Sequence, residues 1–172
     1  MNWVVIEETY LAYLRKFDSH VPFSNYGPNK FKPFFGTLFE VNNELVFLAQ
    51  VSHPQPKHFS KKDDYSFKKL IDPKSNKLLA VVNLSYMFPI KKSDLIPLSY
   101  SQIQNYRTFT NNSEKSKYID LLSKELKIIN MMDLGNDAKK LYSICEKYPD
   151  SQIAQSCNQF KLLEEKAVKY ST

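Results

Sequence analysis

Apolar positions along this chain change period twice, and the changes divide it into three zones. From Glu7 to Asp18 the spacing is helical, with Ile6, Tyr10, Tyr13, Leu14 and Phe17 on one face. Val21-Pro22 ends that helix, because the residue before a proline is pushed out of the helical region. A loop through Asn25, Gly27 and Pro28 then leads to Lys32-Pro33. From Gly36 to His58 two apolar runs flank Asn42-Asn43, a dipeptide that tolerates the positive φ angles of a tight hairpin. The second strand of this hairpin runs from Leu45 to Val51. Residues 53 to 64 have the composition of a mobile basic loop, and Tyr65 to Ile71 that of a short strand. Asp72 to Asn76 is turn chemistry, and Leu78 to Asn83 is a near-continuous apolar run suited to a buried central strand. Tyr86 to Ile90 is a short partner whose Pro89 places it at an edge or a strand end.

Beyond about residue 98 the helical period returns and Gly and Pro nearly vanish. Lys115 to Met132 aligns Ile119, Leu122, Leu126 and Ile129, and Asp137 to Tyr148 aligns Ala138, Leu141, Tyr142 and Cys145. Pro149 separates these from a last helix, Ser151 to Tyr170, with Ile153, Cys157, Phe160 and Ala167 on one face. A helix first, a sheet in the middle and helices last predict an α+β fold. No internal repeat or low-complexity segment is present.

With 172 residues, 42% of them hydrophobic, the chain can bury one substantial core, and it is expected to form one domain over residues 1–172. No apolar run approaches bilayer length. The start MNWVVIEETY lacks a basic n-region and a small-residue cleavage site, so a cytoplasmic protein with no membrane partner is expected. Cys145 and Cys157 have no CxxC spacing and are expected to be small buried hydrophobes in a reducing compartment. Net charge is +6, and its location changes the picture more than its size. Residues 27–92 hold 11 Lys against 5 acidic residues, so the whole excess lies around the hairpin. Lys interleaved with Phe and Tyr is the electrostatic footprint of a nucleic-acid site, although a solvated loop has the same composition.

The hairpin's second strand delivers a hydroxyl (Ser52), two imidazoles (His53, His58) and an ammonium (Lys57) to one strand end. Pro54 and Pro56 stiffen that exit. Groups that move protons and groups that hold a phosphate therefore leave a rigid element together, which points to chemistry on RNA. Metal-free RNA cleavage needs an acid, a base and cationic donors for the phosphorane. No carboxylate or His/Cys cluster has metal-ligand spacing, so no cofactor is expected.

Four blocks carry a family resemblance: TYLAYLRKFDSHVP at residues 9 to 22, Lys32-Pro33-Phe34-Phe35-Gly36 with the hairpin up to Ser52, VVNLSYMFPI at 81 to 90, and CNQFKLLEEK at 157 to 166. In this order they resemble the type III toxin–antitoxin endoribonucleases, the ToxN/AbiQ group. The resemblance implies a compact β-barrel-like antiparallel sheet, with an N-terminal helix and central strands, surrounded by C-terminal helices. It implies metal-independent cleavage leaving 2′,3′-cyclic phosphate and 5′-hydroxyl ends, commonly at A-rich sites, on cellular and phage RNA, in abortive defence against phage. It also implies a cognate RNA antitoxin of tandem repeats folded as pseudoknots, processed by the toxin and held in a closed cyclic protein–RNA assembly.

Ser52 falls on the family's active-site serine, Lys32 on its active-site lysine and Tyr10 on its active-site tyrosine. Serine is a poor base, so Ser52 is expected to position the phosphate, Lys32 to neutralise it, and Tyr10 to bond phosphate or stack on a base. After Ser52 the pattern departs. His53 is inserted, Gln55 stands where the family has lysine, and Val51 replaces Thr or Ser. Lys57 is the substitute cation, His58 corresponds to the family's nearby histidine, and His53 is an extra proton carrier. Lys30, Gln55, Lys61, Lys62, Lys68 and Lys69 are expected to contact RNA, and Phe59 to stack on a base or anchor the loop. The residues alone leave two other readings open: a catalytically impaired RNA-binding member, and a basic protein-interaction domain.

Overall fold

The computed structural model describes residues 1–27 and 29–171; Pro28, assigned above to the loop before the hairpin, lies outside them. Eight strands form one antiparallel sheet: β1 (Asn2–Val5), β2 (Phe34–Gly36), β3 (Glu40–Val41), β4 (Leu45–Ser52), β5 (Phe67–Ile71), β6 (Leu78–Asn83), β7 (Phe88–Lys91) and β8 (Ile96–Pro97). The helices are α1 (Glu8–Arg15), α2 (Pro56–Ser60), α3 (Asn112–Met131), α4 (Leu134–Lys147), α5 (Gln152–Gln155) and α6 (Phe160–Lys169). The strand path is β5-β6-β4-β2-β1-β8, with β3 and β7 each pairing with β4. Its ends, β5 and β8, do not pair with each other. The sheet is open, and the barrel-like expectation is corrected to that extent.

β4 organises the molecule. Its first half pairs with β3 and β7, and its second half with β2 and β6, as in Phe35↔Ala49 and Val51↔Val82. Phe47, Ala49 and Val51 point into one core with Trp3, Phe35, Leu122 and Leu141, beneath α3 and α4. Val46 and Leu48 point into a second core with Leu11 and Leu14 of α1 and Leu163 and Ala167 of α6. Burial on both faces explains why Leu45–Val51 is apolar at every position but Gln50 rather than alternating. The hairpin turn follows its chemistry, with Asn42 and Asn43 at φ 53° and 57°. Gly36 is needed for close approach, since a Cβ there would meet Leu48 Cδ2 at 2.2 Å.

Three elements differ from expectation. A strand, β1, precedes the first helix; Trp3 and Val5 fill one core and Val4 the other, a four-residue alternation too short to stand out in sequence. Residues 53–64 are not wholly loop but contain α2. The last helix is broken in two between Gln155 and Phe160. Tertiary hydrogen bonds pull the backbone out of the helix there: Asn158 N–H donates to Ser85 O at 2.8 Å, and Gln159 N–H to Asp18 Oδ2 at 2.7 Å. Asn158 Nδ2 also donates to Met87 O at 3.1 Å. Cys157 is buried at this break, and Cys145 is half-buried on α4; both are free thiols.

Candidate active site

Ser52 is exposed at the end of β4, still paired with Val81 of β6 but beyond the last residue pair with β2. Three depressions converge on it. One, of about 280 Å³, runs inward between Lys32, Val51 and α3, reaching Tyr118 and Glu125. The second, of about 770 Å³, lies along α2 and takes in Lys57, His58, Lys61 and Asn83. The third, of about 370 Å³, opens toward the end of the α1 region through His20, Tyr26, Gln50 and Tyr86. Lys32 and His53 border both the first and the second.

Gln50 holds the lysine side of the site. Two residues before Ser52, and therefore on the same side of β4, its Nε2 donates to Phe23 O at 2.8 Å and to Lys32 O at 3.2 Å. Its Oε1 accepts from Tyr26 Oη at 2.9 Å. Tyr26 then presents its ring to the Lys32 ammonium, 4.6 Å from the centroid. One buried amide thus fixes the loop, the ring and the lysine backbone together. Burial lowers the pKa of Lys32, and the facing Glu125 opposes that shift.

α2 holds the other side. Pro56 occupies the first helical position, where a missing N–H costs nothing. Gln55 and His58 form a reciprocal capping box in which His58 Nδ1 accepts the Gln55 N–H at 3.0 Å. The neutral ring must therefore carry its proton on Nε2. Desolvation, then Lys57 and Lys61, lower the pKa of His58. Gln55 is spent on the cap, while Lys57 supplies an ammonium to the same depression.

Ser52, Lys32, His53, Gln55, Lys57, His58 and Lys61 are brought together, with Lys30 on the rim of the inner depression. Tyr10 is not. It is 4% exposed in the second core, its hydroxyl donates to Pro89 O at 2.7 Å, and its ring packs edge-on against Tyr170. Burial also pushes its phenol pKa up. Lys68 is engaged elsewhere, in an ion pair with Asp137 of α4 at 2.9 Å. Lys62, Lys69 and Phe59 line none of the three depressions, and Phe59 is 64% exposed.

Several residues that line these depressions escaped the sequence reading. His20 stacks on Tyr86, and its Nδ1 lies 3.1 Å from Oδ1 of the buried Asp18, whose other oxygen is held by Gln159 N–H. Tyr26 and Gln50 carry no sequence signal of their own. Glu125 did carry one: with Leu122 and Ile129 it makes up the buried stripe of α3, a carboxylate in an apolar face.

An open antiparallel sheet packed by helices on both faces, with a basic serine- and imidazole-bearing cleft at the end of its central strand, defines an α+β protein suited to binding a phosphodiester. The family model for the ToxN toxin of type III toxin–antitoxin systems matches residues 2–168, and the chain belongs to that family. It is 26% identical over 170 residues to Endoribonuclease ToxN of Pectobacterium atrosepticum, covering 96% of this chain and 91% of that protein. Among solved structures it is similar to one of a system in which a processed non-coding RNA regulates a bacterial antiviral system, with TM-score 0.79, 24% identity and full coverage of both chains. It is also similar to AbiQ, a lactococcal anti-phage endoribonuclease of the type III toxin–antitoxin system, with TM-score 0.77 and 22% identity over 98% of this chain and 96% of that one. At these identities the two structures establish the fold.

Proposed function

We propose that this chain is a metal-independent endoribonuclease toxin that cleaves RNA at Ser52 and is restrained by a repeat-derived RNA antitoxin. The observation that carries the reading is the convergence on Ser52 of two ammonium groups, Lys32 and Lys57, and all three imidazoles of the chain. In this reading the ammonium groups and the Ser52 hydroxyl hold the scissile phosphate. The 2′-hydroxyl gives its proton to an imidazole as its oxygen bonds to phosphorus. The bond from phosphorus to the 5′-oxygen then breaks, that oxygen takes a proton from a second acid, and a 2′,3′-cyclic phosphate and a 5′-hydroxyl remain.

His53 is exposed beside Ser52, and His20 is oriented through Nδ1 by Asp18, leaving Nε2 for proton transfer. His58, with Nδ1 committed to the cap, serves as a donor through Nε2. The relatives support an RNA partner and an antiviral role, since one is named an endoribonuclease and another anti-phage. A third similar structure, of TM-score 0.75, concerns selective toxin inhibition by a non-coding RNA pseudoknot.

The test uses the pure chain, EDTA and transcripts of the sequence adjacent to its gene, where the antitoxin reading expects short tandem repeats. Cleavage with cyclic phosphate ends that disappears in a folded Ser52→Ala variant supports the proposal. Undiminished cleavage by that variant refutes it. Salt-sensitive binding without cleavage by the unaltered chain would replace it with the catalytically impaired reading.

A further inference from the structure

We propose that Cys145 and Cys157 form an oxidation site, a thiol pair that a small hydroperoxide closes to a disulfide, and that the closed bridge fastens the break between α5 and α6 to α4. Neither cysteine lines the three depressions at Ser52, so the proposal stands apart from the ribonuclease reading.

Contacts on both sides of the pair bring the two thiols together. One turn before Cys145, Tyr142 stacks on Phe160, three residues after Cys157, with ring centroids 6.0 Å apart. Tyr142 Oη also donates to Glu164 Oε1 at 2.5 Å. Next to Cys145, Glu146 pairs with Lys161 at 3.2 Å. α4 is thereby clamped against the start of α6, and between these contacts the S–H of Cys145 donates to the Cys157 sulfur. Both side chains belong to one core, where two separate apolar positions would have no need of facing thiols.

A cavity of about 450 Å³ gives the pair an entrance. Cys145 lines it together with Tyr142, Ala154, Asn158 and Phe160. Asn158 is 2% exposed, and its Oδ1 has no hydrogen-bond partner among the described residues. A buried acceptor without a donor is costly, and the O–H of a small peroxide supplies one beside the sulfurs. The S–H of Cys145 pulls the Cys157 thiol below the usual range, with burial opposing and the Ser85 hydroxyl assisting. The pair therefore gives up one proton more readily than a lone buried cysteine, and the thiolate is the reactive form.

That thiolate attacks one peroxide oxygen and the O–O bond breaks. The other oxygen leaves as hydroxide or alkoxide and takes a proton, and a sulfenic acid remains on sulfur. The second thiol gives up its proton as its sulfur bonds to the first; the S–O bond breaks and the hydroxyl leaves as water. Two thiols are oxidised to one disulfide while one hydroperoxide is reduced to water and an alcohol, or to two waters.

The bridge lands on a segment that supports the cleft. Immediately after Cys157, Asn158 N–H donates to Ser85 O and Gln159 N–H to Asp18 Oδ2. Asp18 Oδ1 in turn accepts the His20 N–H at 3.0 Å. A covalent tie from α4 to Cys157 resists opening of this break and keeps Asp18 supported.

The experiment treats the full chain and Cys145→Ser with hydrogen peroxide and with tert-butyl hydroperoxide in native buffer, then alkylates the remaining thiols. Peptide mapping of the unaltered chain should show Cys145 linked to Cys157, and a thiol reductant should reverse the link. The melting midpoint should rise by about 5–10 °C on closure. Amide exchange at Asn158 and Gln159 should slow by roughly 10-fold. Cys145 is half-buried, so Cys145→Ser leaves the core filled and keeps every methionine. That variant should carry a sulfenic acid on Cys157, trapped by dimedone, with no rise in midpoint. Thiols that survive peroxide in the folded chain would leave both cysteines as core residues and overturn the proposal. So would a link that forms only in urea, or a bridged protein with unchanged midpoint and unchanged exchange at Asn158 and Gln159.

Discussion

Replacing Glu125 by Gln should make the protein markedly more stable at neutral and alkaline pH and hardly change it near pH 5. The carboxyl lies between Leu122 and Ile129 on the buried stripe of α3, is 4% exposed, and has only Lys32 as a compensating charge. Its pKa is raised from 4.5 to about 8 in the folded protein. Below pH 4.5 the group is protonated whether the chain is folded or not, and folding loses nothing. Between pH 4.5 and about 8 unfolding releases the proton, so stability falls as pH rises through that window. At ~1.4 kcal/mol per pH unit the loss reaches about 3 kcal/mol at neutrality and 4–5 kcal/mol above pH 8. That is a large part of a typical net stability of about 5–15 kcal/mol. Urea denaturation of both proteins at half-unit steps from pH 5 to 9 measures it, because subtraction removes the groups they share. The difference should grow with pH and level off above about 8. A difference that is flat across the range would refute the reasoning.

Tyr10→Phe should cost about 1 kcal/mol in urea denaturation through loss of the hydrogen bond to Pro89 O, yet leave RNA cleavage unchanged. A large loss of cleavage would return Tyr10 to the site. Gln50→Leu removes the bonds to Phe23 O, Lys32 O and Tyr26 Oη, and should cost about 2–3 kcal/mol with a larger fall in kcat/KM than Ser52-distant core changes of equal cost. Gly36→Ala forces its new methyl against Leu48 Cδ2 and should destabilise by about 1–3 kcal/mol in thermal melts. Lys57→Ala in the Ser52→Ala background should reduce the slope of log K against log salt for single-stranded RNA by about 0.7; an unchanged slope would remove Lys57 from the phosphate site.

Elements with long periodic patterns were legible in the sequence. α1, α3, α4 and the β4 hairpin follow from apolar spacing and from Asn42-Asn43, and the family follows from its four blocks. What escaped was decided by tertiary partners. The last helix has an uninterrupted apolar face, and it breaks because Ser85, Met87 and Asp18 offer the Asn158–Gln159 segment other hydrogen bonds. α2 was missed because its cap is an uncommon pair, Gln and His, rather than Ser, Thr, Asn or Asp. Of the residues lining the depressions at Ser52, those adjacent to it in sequence were legible, whereas His20, Tyr26 and Glu125 come from other elements. Tyr10 matches a family position, yet the structure packs it into the second core.

The departures after Ser52 and the anomaly at Glu125 have the same physical logic. After His53 the chain stays ordered because Gln55 and His58 close a cap that starts a new helix and carries Lys57 to the cleft. Lys57 on this helix thus supplies an ammonium to the depression beside Ser52. Glu125 cannot be explained by the fold in that way. A leucine at its position would extend the stripe of Leu122 and Ile129 and avoid the cost of a buried carboxyl. It lines the depression whose mouth is formed by Ser52 and Lys32, and Lys32 is the charge that offsets its burial.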